Sequence, residues 1–109
     1  MAKVIPIESI RRSPRAALFE GREDVDASIF IVATDRGEGP DLHVHPYPEV
    51  FVVEAGVARF TVGDEQIVVE AGNVVVVPAE TPHGFKGESE EKLRVVSFHP
   101  SPEVVQTDL

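Results

Sequence analysis

Cysteine is absent from all 109 residues, which excludes disulfides, zinc–thiolate sites and iron–sulfur clusters. Long apolar runs are absent as well. The longest, residues 29–33, is far short of a membrane span. The first eight residues lack the apolar stretch and small-residue cleavage site of a secretory signal, so a cytoplasmic address is expected. Basic residues are scarce: Lys and Arg number 10 against 19 Asp and Glu, a net charge of −9. That field repels phosphate backbones and anionic lipid, so neither nucleic acid nor membrane is expected as a partner. No stretch before the polar tail carries three helical turns with an apolar face.

What remains is a strand-rich chain. Apolar residues make up 42%, ordinary for a globular protein. The length suffices for one core and not for two, so residues 1–109 read as a single domain. Segments 27–34, 49–53, 57–62, 66–70, 73–77, 82–86 and 92–99 are rich in β-branched or aromatic residues and separated by Gly and Pro turns. Short strands at roughly eight-to-twelve-residue spacing predict an all-β sandwich or barrel. Segment 27–34 reads as a strand buried on both faces. Residues 1–22 form an N-terminal arm and first strand. Val4, Ile5 and Ile7 around Pro6 suggest a short extended arm, while residues 16–19 fit a strand or one helical turn equally well. Lys3, Arg11, Arg12, Arg15 and Arg22 concentrate half of the basic residues here. A solvated edge is the preferred reading, over a contact with an acidic partner or an anionic substrate.

The chemistry centres on residues 37–56. His43 and His45 are two apart, so in a strand they leave the same face. Pro46 and Pro48 interrupt strand pairing and turn the chain, which lets Glu49 fold back over the histidine pair. A strand ending at Pro78 leads to His83, expected to point at the same centre. Three imidazoles and one carboxylate are a metal site in outline. The competing reading, surface histidines beside a turn, is weaker because a carboxylate sharing a face with Phe51 and Val53 needs a partner.

These stretches together resemble the cupin superfamily. Its first motif is Gly, five residues, His-x-His, three or four residues, Glu, six residues, Gly, matched by Gly37, His43, His45, Glu49 and Gly56. Its second is Gly, five residues, Pro-x-Gly, two residues, His, three residues, Asn. Gly72, Pro78 and His83 match it, with Glu80 in place of the motif Gly and Gly87 in place of Asn. Glu80 suggests a different turn before His83. The motifs span residues 37–56 and 72–87, and the short spacer, residues 57–71, is typical of small bacterial single-domain members. The resemblance implies a double-stranded β-helix, a jelly-roll barrel with a metal inside one mouth. It implies His43, His45, Glu49 and His83 as ligands of one divalent Mn, Fe, Ni, Co, Cu or Zn ion, with positions open for water or a small molecule.

Outside the motifs, His99 adjoins Pro100 at the end of the last strand, and a surface position is preferred for it. Tyr47 reads as a packed or rim residue in preference to a pocket acid or base. Phe51, Phe60, Phe85 and Phe98 are expected to line the barrel. A metal-dependent enzyme on a small organic molecule is favoured, dioxygenase-like or a Lewis-acid isomerase or decarboxylase. The alternative is a non-catalytic binding or sensing module. Catalytic residues beyond the ligands are not legible. Exposed jelly-roll edges and the arm suggest a homodimer.

Overall fold

A computed structural model describes the chain from Met1 to Leu109. Eleven strands follow one 3-10 turn, Ile7–Ile10. They are β1 (Arg11–Ser13), β2 (Ala16–Glu20), β3 (Ser28–Thr34), β4 (His43–Val44), β5 (Glu49–Ala55) and β6 (Val57–Val62), then β7 (Glu65–Glu70), β8 (Asn73–Val77), β9 (His83–Gly87), β10 (Leu93–His99) and β11 (Thr107–Asp108). One sheet runs β1-β2-β3-β10-β5-β8 and the other β11-β4-β9-β6-β7, with antiparallel pairing throughout. This is a jelly-roll barrel. No helix is long and apolar enough to cross a membrane.

Alternation along the strands sorts side chains into core and surface. In β5, Glu49, Phe51 and Val53 are buried while Val52 and Glu54 face outward. In β10, Leu93, Val95, Ser97 and His99 are buried, with Arg94 and Phe98 outside. Phe51, Phe60 and Phe85 meet at the centre, Phe51 edge-on to the other two at centroid distances of 5.0 and 5.7 Å. Such pairs add about 0.5–1.5 kcal/mol each beyond the area they bury. Phe98 does not join them. It is 41% exposed on the outer face, because the register that buries Ser97 and His99 turns it away.

Two further expectations change, and one left open, at residues 16–19, is decided. Segment β3 is buried only at Ser28 and Thr34, and residues 29–33 are half-buried: Phe30 and Val32 line the cavity on the inner face, while Ile29, Ile31 and Ala33 lie on the outer one. The arm is extended at Pro6 and then forms the 3-10 turn, whose Ser9 N–H donates to Pro6 O at 3.0 Å. Residues 16–19 are strand. The tail adds β11, whose Thr107 pairs with Val44.

The two motif departures have physical accounts. Glu80 has a φ of 61°, the left-handed backbone that glycine adopts freely, so no different turn is built there. Its N–H donates to His45 O at 2.8 Å. At Gly87 a Cβ would lie 2.6 Å from Asp35 O, so only glycine lets the chain at Asp35 approach β9.

Candidate metal centre

The pairing of β4 with β9 sets His43 directly across from His83. His45 follows at the end of β4, and Glu49 opens β5 after the Pro46–Pro48 turn. All four side chains are buried, and one ligand atom from each lies within 4.8 Å of the others. One ion bonded to each at roughly 2.0–2.2 Å can bridge such a span after modest contraction.

The hydrogen bonds fix which ring nitrogen faces the centre. His43 Nδ1–H donates to Asp41 O at 2.7 Å, His45 Nδ1–H to Val105 O at 2.7 Å and His83 Nδ1–H to Thr81 O at 2.8 Å. Carbonyls only accept, so these three Nδ1 atoms carry protons and the Nε2 atoms are the ones that face the centre, where their lone pairs would meet a metal. Two of those meet the same carboxylate oxygen: His83 Nε2 is 2.9 Å and His45 Nε2 3.1 Å from Glu49 Oε1. The His45 contact is too bent for a hydrogen bond, so this buried nitrogen has no hydrogen-bond partner. Imidazole nitrogens converging on a carboxylate need a cation among them, either protons or a metal ion. The cluster is therefore suited to a divalent transition metal, with the Nδ1 bonds supplying the outer support that such ligands commonly have.

Electrostatics agree. Burial would raise the Glu49 pKa, but the close approach of the His45, His83 and His99 imidazoles outweighs it and holds the pKa well below the usual carboxylate range. Burial lowers the His43 pKa and so favours its neutral, ligating form. Burial also opposes charge on His45, yet the Glu49 carboxylate and the Val105 carbonyl raise its pKa overall.

His99 lies here too, 1% exposed rather than on the surface, with Nε2 2.9 Å from Glu49 Oε2. The position beside Pro100 was misleading because the tail continues past the barrel mouth and covers it. Tyr47 is half-buried, stacked on His45 at 5.1 Å and hydrogen-bonded to His99 Nδ1 at 2.7 Å. Val104 and Val105 had no signal in the sequence, yet Val104 N–H donates to Glu20 and Val105 serves both His45 and Tyr47. Beside the cluster lies a cavity of about 320 Å³, bounded by Phe30, Phe51, Phe85, His43, Glu49 and His99. That is at the small end of ligand pockets. Of the N-terminal cations, Arg15 also lines this cavity and pairs with Glu38, while the others lie elsewhere and are matched within the chain: Lys3 with Asp24, Arg11 with Glu8, and Arg12 and Arg22 with Glu20.

Known proteins share this fold. Among solved structures, Bacillus subtilis oxalate decarboxylase, described for its Mn(II) centres, superposes with a TM-score of 0.77 over 90% of this chain at 20% identity. The chain spans only 29% of that protein's length. A cupin-like protein from Thermotoga maritima gives a TM-score of 0.73 at 16% identity, covering 86% of this chain and 75% of the other. An uncharacterized protein of Streptomyces coelicolor is 33% identical over 94 residues, which is 86% of this chain and 90% of its own length. The cupin domain family matches residues 30–99, a stretch holding all four clustered residues and His99. The chain belongs to the cupin family.

Proposed function

We propose that this cupin holds one divalent transition metal through His43, His45, Glu49 and His83 and is a metal-dependent enzyme acting on a small organic molecule. The observation that carries this is the set of three Nδ1-anchored imidazoles aimed at Glu49 Oε1 beside an apolar cavity. When bound, the ion supplies Lewis acidity for an enolate or carbonyl oxygen and, if redox-active, the means to use dioxygen. The chain's own part is to hold and to exclude. Four protein ligands leave the cavity side open, and Phe30, Phe51 and Phe85 keep bulk water from the substrate. The Mn(II) of the oxalate decarboxylase neighbour favours manganese among the six metals and decarboxylation beside the dioxygenase-like chemistry.

The working unit in this reading is a homodimer in the cytoplasm. Its support is the outer face of the larger sheet, where Val74 and Val76 flank Val52 and Val50, which flank Val96 and Phe98. Val74 and Val76 are 61% and 62% exposed, an unusual load of apolar surface for a lone chain.

The test is to load metal-free protein with each ion and measure oxygen uptake and carbon dioxide release with enolic, diketone and dicarboxylate substrates. Turnover proportional to bound manganese, iron or copper is expected. Ligand binding without turnover for every ion would replace the enzyme with the sensing module.

A further inference from the structure

The two oxygens of Glu49 face different partners. Oε1 is approached by His83 and His45, while Oε2 is approached by His99 Nε2 at 2.9 Å. His99 itself is held from behind. Val105 N–H donates to Tyr47 Oη at 3.1 Å, and Tyr47 Oη lies 2.7 Å from His99 Nδ1. A phenol that accepts from Val105 has its own proton free to donate, and His99 Nδ1 is the acceptor within reach. That places the His99 proton on Nε2, which sits 2.9 Å from Glu49 Oε2 in a close polar contact that, like that of His45, is too bent for a full hydrogen bond. His99 therefore presents a proton to the site, where the other three histidines present lone pairs. Its ring is also packed edge-on to His45 at 4.7 Å and tilted against Phe30 at 5.4 Å, which fixes its orientation.

We propose that His99 is a positioning residue: backed by Tyr47, it occupies Oε2 of Glu49, so that the carboxylate engages a metal through Oε1 alone. This rests on the reading of His43, His45, Glu49 and His83 as the ligands. A carboxylate free to rotate can take a metal with both oxygens, closing a position that a substrate or water needs. With Oε2 engaged by His99, that position stays open on the cavity side. The motif match does not include His99 or Tyr47, and neither is among the four residues whose ligand atoms converge. Groups that orient a ligand from behind commonly change metal affinity by about 10–100-fold.

Mn(II) is the probe, because its electron paramagnetic resonance spectrum reports ligand symmetry and its water-proton relaxivity reports bound water. The full chain is compared with His99→Leu, His99→Gln and Tyr47→Phe, each checked for the folded barrel by circular dichroism. His99→Leu should change the zero-field splitting, lower the relaxivity by the loss of one bound water, and weaken Mn(II) binding by about 10-fold or more. His99→Gln, whose amide can still donate to Oε2, should recover most of the wild-type signal. Tyr47→Phe should shift the spectrum in the same direction as His99→Leu by a smaller amount, and it decides the matter if His99→Leu does not fold. A spectrum and relaxivity unchanged in the variants would overturn the positioning role. Four directly bonded imidazoles in the wild type, counted by pulsed resonance, would overturn it by making His99 a ligand. Failure of the wild type to bind Mn(II), Fe(II) or any of the other ions would remove the metal reading itself, and the inference with it.

Discussion

Glu49 stays charged where burial alone would neutralise it, because three imidazoles surround it. His45 feels the same contact from the other side, and its pKa is raised. A histidine with a raised folded-state pKa adds stability below its unfolded value of about 6.5 and loses it as pH climbs through the folded value. The metal-free centre is thus steadied on the acid side by a proton that a metal ion must expel. His43 is the opposite case: burial lowers its pKa, so it is already neutral near pH 7 and has no proton to give up. Mn(II) uptake is therefore expected to release more protons at about pH 6 than at about pH 8. Calorimetry in buffers of differing ionisation enthalpy measures this, and equal release at both would contradict His45 as a ligand. Glu80 gives a second residue-scale prediction. A left-handed φ costs a non-glycine residue roughly 1 kcal/mol, so Glu80→Gly should stabilise the fold by up to about that much and raise Tm by a few degrees. A lower Tm would mean that the Glu80 side chain contributes more than its backbone costs.

Among the elements, the motif strands were readable and the tail was not. His43 and His45 share a face by the strand period of two, the Pro46–Pro48 turn returns Glu49 to them, and His83 follows Pro78 at the spacing of the second motif, so their convergence is legible in the residues. The last strand was ambiguous because both faces are partly apolar: Val95 alternates with Val96, and Phe98 lies between Ser97 and His99. Sequence hydropathy favours putting Phe98 inside, and pairing with β3 and β5 puts His99 there instead. Strand β11 has two residues, Thr107 and Asp108, and no apolar signature at all. Its role comes from backbone groups, which side-chain patterns do not report. Val105 O accepts a hydrogen bond from His45 Nδ1–H, and Leu109 N–H donates to Leu42 O at 3.2 Å. Deleting residues 103–109 should therefore weaken metal binding by about 10–100-fold while the remaining ten strands still fold. Isothermal calorimetry on the shortened chain checks this, and an unchanged affinity would show that the tail does not orient His45.

Over the whole molecule, a buried polar cluster and an apolar outer sheet face lie on opposite sides of the same strands. Strand β5 carries Glu49 and Phe51 inward and Val50 and Val52 outward, so a second copy covering the outer face would also stiffen the strand that bears Glu49. Val76→Lys, on the edge strand β8, is expected to halve the mass seen by light scattering and to leave the barrel folded. A wild-type chain that is already monomeric at micromolar concentration would contradict the dimer. The metal centre itself is tested most directly by elemental analysis of the wild type and His83→Ala, purified side by side without chelator and reloaded with each of the six ions. About one ion per chain in the wild type, lost in His83→Ala with the barrel intact, is the expected result. A wild type that holds no ion under any loading, or a variant that holds as much as the wild type, would contradict the four-residue centre.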